Sequence, residues 1–224
     1  MDKIPVHKLL WVSLFGIAFA FVETSIVVYL RALYYPEGFS FPLKVVSQEH
    51  LAVELAREAA TIIILVTVGI IAGRKRWEKF GYFLAAFGIW DIFYYVWLKV
   101  ALNWPQTLTD WDVLFLIPVP WVGPVIAPLL LALLMTCCGV AMVVRLERGL
   151  RFQPTLLSWS LSLMATMVAL YSFMYDCRET LQGKLPSSYP YELLVVSLGL
   201  YLAGFLTACS VRGYPGGREL STGP

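Results

Sequence analysis

Charge is scarce in this chain. Lys, Arg, Asp and Glu together make up 14% of its 224 residues, where a soluble domain carries roughly a quarter. With 59% hydrophobic residues and a mean hydropathy of +0.72, too few polar groups remain to cover a soluble fold. The composition therefore indicates an integral membrane protein whose first partner is the lipid bilayer. The net charge of +2 and the lack of any basic stripe interleaved with aromatics speak against nucleic acid as a partner.

Histidine is rarer still, with only His7 and His50. They fall on opposite sides of the membrane in the topology derived below, so bis-histidine haem ligation is excluded and no haem is expected from this chain. No HExxH, paired ExxH, GxSxG or phosphate loop is present. The four cysteines, Cys137, Cys138, Cys177 and Cys209, lack metal-ligand spacing and read as small core fillers. Ser158, Ser160 and Ser162 alternate without a histidine base near them, so they are assigned to packing.

Long apolar runs, by contrast, are abundant. They predict an all-α fold of six transmembrane helices over about 9–30, 51–73, 80–102, 129–144, 156–175 and 191–211. The first run continues past Ala18-Phe-Ala20, which imitates a cleavage site, and is read as a retained span rather than a signal peptide. Residues 1–211 form one polytopic domain in this reading, and 212–224 a disordered cytoplasmic tail. Between the third and fourth helices, Pro118, Pro120, Pro124 and Pro128 rule out a regular helix. That stretch, 103–128, is too apolar for a solvated loop. It is expected to be an interfacial or re-entrant segment anchored by Trp104, Trp111 and Trp121.

Basic residues set the orientation. With the N-terminus inside, eleven of the 17 Lys and Arg residues fall on the inner side and six on the outer, and Arg74-Lys75-Arg76 and Arg145, Arg148 and Arg151 fill the central inner loops. The positive-inside rule then gives both termini cytoplasmic, in a bacterial or archaeal plasma (inner) membrane.

The second span opens with His50, Glu54, Arg57 and Glu58. On a helix, His50, Glu54 and Glu58 recur every four residues and share a face, with Arg57 one step round. Glu23 lies beyond the midpoint of the first helix and Asp91 near the middle of the third. The predicted topology brings these depths within a few helical turns of each other, under the outer leaflet. Glu23, Glu54, Glu58 and Asp91 then set four negative charges against the one Arg57. A low-dielectric pocket relieves such an excess by binding protons or a cation.

A divalent metal is thus a candidate cofactor, with Glu23, His50, Glu54, Glu58 and Asp91 as ligands. Oxygen ligation suits Mg, Ca or Mn, and recruiting His50 admits Zn, Fe or Mn. Arg57, Tyr94, Tyr95 and Asp112 are candidates for binding a substrate. The plainer reading pairs Arg57 with Asp91 or Glu23 and makes these groups helix–helix glue.

Three functions follow. The first is a cation- or proton-binding membrane protein that transports a small solute or ion. The alternatives are a membrane-embedded enzyme acting on a lipid or isoprenoid, and an accessory subunit or homo-oligomer within a larger membrane assembly. Whether the chain is an enzyme stays open at this point.

Overall fold

A chain this apolar has no water to satisfy its backbone within a bilayer, and helices solve the problem internally. The structure, a computed structural model, describes residues 6–44, 47–184 and 188–210. Its helices are α1 (Val6–Tyr34), α2 (Gln48–Ala72), α3 (Arg76–Leu102), α4 (Ile126–Glu147), α5 (Leu156–Met174), the short α6 (Cys177–Leu181) and α7 (Tyr191–Ser210). Among the described residues, six helical segments are long and apolar enough to cross a membrane: α1, α2, α3, α4, α5 continued through α6, and α7. The chain therefore has the architecture of a polytopic membrane protein. Side chains such as Tyr29, Ile71, Leu156 and Val195 stand largely exposed on its flanks, where lipid would cover them. The tail expected at 212–224 lies outside the described residues.

The helices run a few residues past the apolar runs because polar groups cap them. At α2, the Ser47 side chain accepts a hydrogen bond from the His50 N–H at 3.3 Å. Ahead of α3, Glu78 reaches back to accept from the Arg74 and Lys75 amides at 2.9 and 3.3 Å. At α5, Thr155 and Ser158 exchange backbone-to-side-chain bonds, and Ser158 also meets Thr207 of α7 at 2.9 Å. That gives Ser158 a structural role.

The third helix is the hub. α1, α2 and α4 all pack on α3, while α5 pairs with α7, and this pair joins the rest through the segment between α3 and α4 and through α7 on α4. The tightest seam is between α3 and α4, where Gly81, Ala85 and Gly88 face Ala132, Thr136 and Gly139. A Cβ at Gly139 would lie 2.6 Å from the Ala85 nitrogen and the Gly81 carbonyl oxygen, so only glycine allows this approach.

The segment between α3 and α4 is a hairpin, β1 (Trp111–Phe115) and β2 (Trp121–Pro124), antiparallel with Asp112 opposite Gly123 and Phe115 opposite Trp121. The sequence pattern predicts irregular backbone here and gives no sign of strands. Each proline occupies a tolerant position. Pro118 and Pro120 lie in the connection, Pro124 ends β2, and Pro128 sits in the first turn of α4, where the missing N–H costs nothing. Asp110 holds the approach to β1, accepting from the Gln106 amide at 2.6 Å and the Thr107 hydroxyl at 2.6 Å.

Candidate ligand cavity

The hairpin lies at the end of the bundle where α1 finishes and α2 begins, and a cavity of about 380 Å³ lies between it and the helices. Helical spacing decides who lines it. α1 contributes Glu23, Val27 and Arg31, and α2 contributes Glu54, Arg57, Glu58 and Thr61. From α3 come Phe87, Trp90, Asp91, Tyr94 and Tyr95, and from α4 Pro128, Leu131, Ala132 and Met135. Each set repeats every three or four residues, which is one face of a helix. Residues Asp112 to Leu116, together with Trp121, close the hairpin side, Phe173 of α5 adds to the wall, and Tyr35, Phe39, Leu43 and Lys44 from the segment after α1 also line the space.

Two arginines neutralise part of the acid in this cavity. Arg57 donates from Nε and Nη2 to Glu54 Oε2 at 2.9 and 2.8 Å, and from Nη1 to Glu23. The other oxygen of Glu23 accepts the Thr61 hydroxyl, so this carboxylate, only 3% exposed, is fully satisfied. Of the partners open to Arg57 in the sequence, the structure selects Glu23 over Asp91. The second arginine, Arg31, donates to Asp112 Oδ1 at 3.0 Å and is stacked between two rings, 3.8 Å from the Trp104 centroid and 4.3 Å from that of Phe39. Asp112 is buried and stands opposite Gly123 in the hairpin. Burial pushes its carboxyl above the usual carboxylate range, and the Arg31 guanidinium opposes that rise.

Glu58 does something different. Both of its oxygens lie 3.0 Å from the Leu116 amide, tying the end of β1 to α2. The hairpin is therefore fastened at two points, by Asp112 to α1 and by Leu116 to α2. The indole N–H groups of Trp90 and Trp121 lack an acceptor, but both nitrogens are sealed below the cavity surface and offer nothing to a ligand.

Asp91 stands apart from the other acids. It lines the cavity, and among the described residues it has no hydrogen-bond or ion-pair partner. It makes no bond to Glu54 or Glu58, although all three border the same space.

The residues singled out from sequence thus divide. Glu23, Glu54, Arg57, Glu58, Asp91, Tyr94, Tyr95 and Asp112 all line the cavity, whereas His50 does not. His50 is exposed and bonded to the Tyr34 hydroxyl. Among the described residues, no three His, Cys, Asp or Glu side chains come together as a metal-binding group.

Sequence reasoning missed Arg31, Phe39, Thr61 and Phe173 as parts of the site and read Trp104 only as an interfacial anchor. Arg31 was legible in principle, because it lies eight residues after Glu23 and so returns to the same face of α1. Its stacking partners come from two separate loops and leave no local signal. No family model matches the sequence, and no curated protein or solved structure matches it at a significant level.

Proposed function

We propose that this protein moves a small solute or ion across the membrane, and that its cavity takes up positive charge, as a cation or a proton, at Asp91. The observation that carries this reading is the missing partner of Asp91. Glu23, Glu54 and Asp112 are matched to arginines and Glu58 to a backbone amide, so Asp91 is the one carboxylate lining the cavity with neither an ion-pair nor a hydrogen-bond partner among the described residues. An uncompensated charge at that depth is costly and marks a functional group by default. Placing both termini in the cytoplasm, as the basic residues suggest, puts the cavity on the outer side.

A membrane enzyme acting on a lipid or isoprenoid draws support from the apolar walls of the same cavity. It lacks a free acid–base pair, however, because every other acid there already has a partner. An accessory subunit leaves Asp91 unexplained. The test is cation and proton flux in proteoliposomes, with wild type beside Asp91→Asn. Flux driven by an imposed gradient and lost in the variant supports transport. Turnover of an added lipid with no flux in either protein overturns it.

A further inference from the structure

We infer that the solute is an organic cation with an apolar or aromatic body, bound with its positive charge at Asp91 and its body against the surrounding rings. This rests on the transport reading above and deepens it by naming the class of solute.

Size argues first. A cavity of about 380 Å³ falls within the roughly 300–1,000 Å³ typical of sites for drug-sized molecules and far exceeds one bare ion. Chemistry argues next. An inorganic cation that sheds its water needs several oxygen ligands, about six to eight for calcium. Among the described residues no three His, Cys, Asp or Glu side chains come together to supply them. An organic ammonium is held differently, by one carboxylate and the negative faces of aromatic rings.

The walls supply those rings. On the α3 side, Trp90 and Tyr94 stack at 6.4 Å between centroids, and Tyr94 meets Tyr95 edge-on at 5.0 Å. From the hairpin and α5, Trp121 lies 5.5 Å from Phe115 and stacks on Phe173 at 6.2 Å with only 6° between planes. One group of rings comes from α3 and the other from the hairpin and α5, and Phe115 packs against the cluster that contains Trp90. Asp91 is on α3, one residue from Trp90. An anion is disfavoured, because both arginines of the cavity are ion-paired, the third cation, Lys44, lies over the Tyr35 ring at 5.2 Å, and Asp91 would repel it. A neutral amphiphile fits the walls but leaves Asp91 without a counter-charge.

The test is direct binding to the purified full-length protein, followed by titration calorimetry and tryptophan fluorescence. The probes are benzyltrimethylammonium, its neutral isostere neopentylbenzene, and the chlorides of sodium, potassium and calcium. The expected result is saturable binding of the ammonium, at least about tenfold tighter than the neutral isostere, in line with the strength of desolvated cation–π contacts plus one carboxylate. Asp91→Asn should lose that preference and Asp91→Glu should retain it, and both proteins should elute and melt as folded species. Trp121→Leu, which leaves the carboxylate in place, should weaken the ammonium several-fold more than it weakens neopentylbenzene. If sodium, potassium, calcium or a proton binds in an Asp91-dependent way while the ammonium does not, the inference fails and the transport reading survives. Equal affinity for the ammonium and its neutral isostere also overturns the inference. If no cation of any kind depends on Asp91, both readings fall.

Discussion

Replacing Arg57 by Met would strip Glu23 and Glu54 of their shared partner while keeping most of the volume of the side chain. Glu23 would then sit 3% exposed between α1 and α2 with only the Thr61 hydroxyl beside it. Breaking a buried ion pair from one side costs about 3–5 kcal/mol, because the remaining charge has nowhere to go. The Arg57 side chain is itself 21% exposed, so water can reach part of the gap and the expected loss is nearer to about 2–3 kcal/mol. The double variant Glu23→Met with Arg57→Met removes the more deeply buried acid with its partner and leaves only Glu54, 13% exposed, unpaired, and an apolar pair of similar volume is often neutral or better. It should therefore recover the part of the loss that comes from Glu23, with a coupling energy above about 1 kcal/mol in a double-mutant cycle. Equilibrium unfolding in lipid bicelles, with wild type and the three variants, supplies the four corners. A double variant no more stable than Arg57→Met alone would refute the idea that Arg57 serves to neutralise Glu23.

The hairpin clasp should respond to Glu58. Glu58→Ala leaves the Leu116 amide without its acceptor, a penalty of about 1–3 kcal/mol, and should speed hydrogen exchange at that amide by about tenfold or more. Glu58→Gln keeps an acceptor and should hold exchange near the wild-type rate. Unchanged protection in the alanine variant would mean that the hairpin is fastened elsewhere. At the α3–α4 seam, Gly139→Ala should destabilise by about 1–3 kcal/mol through overpacking. Gly199 has nothing within 4 Å of the point where a methyl would sit. It should tolerate Ala or gain about 0.4–1 kcal/mol, and equal melting shifts for the two substitutions would contradict the seam.

Stability should also vary with pH in opposite senses at the two hairpin acids. Burial lifts Asp110, but the Thr107 hydroxyl, the Thr107 and Gln106 amides and Lys99 outweigh it and hold the carboxyl below its usual range. Its contribution is complete above the ordinary carboxylate range and fades as pH falls through the lowered value. Asp112, raised by burial against the pull of Arg31, binds its proton more tightly when folded, so its contribution declines as pH rises from the ordinary range towards the raised value. Melting curves against pH should lose the acid-side decline in Asp110→Asn and the decline on the other side in Asp112→Asn. Wild-type slopes in both variants would contradict these assignments.

How much of this was legible in the chain depends on the range of the interactions. The six spans were readable because each apolar run is long enough to cross a bilayer. Their ends shifted by a few residues because Ser47, Glu78 and Thr155 cap turns that hydropathy does not register. The convergence of Glu23, Glu54, Glu58 and Asp91 on one cavity followed from helical periodicity and antiparallel helices. The partners did not follow. Nothing local indicates that Glu58 would accept from the amide of Leu116, or that Asp112 would reach Arg31 across 81 positions. The hairpin was hidden because its strands are short and its connection, Leu116-Ile-Pro-Val-Pro120, carries no Asn-Gly or Asp-Gly signal. Prolines that exclude a helix say little about what replaces it.

The decisive observation concerns Asp91 itself, and it can be made before the solute is known. Protein reconstituted on a solid-supported membrane is exposed to a rapid jump in cation concentration, and the transient charge displacement is recorded. Wild type should give a saturable inward movement of positive charge into the cavity, absent in Asp91→Asn and present in Asp91→Glu. An undiminished transient in Asp91→Asn would show that this carboxylate receives no charge, and the cavity would lose its assigned role.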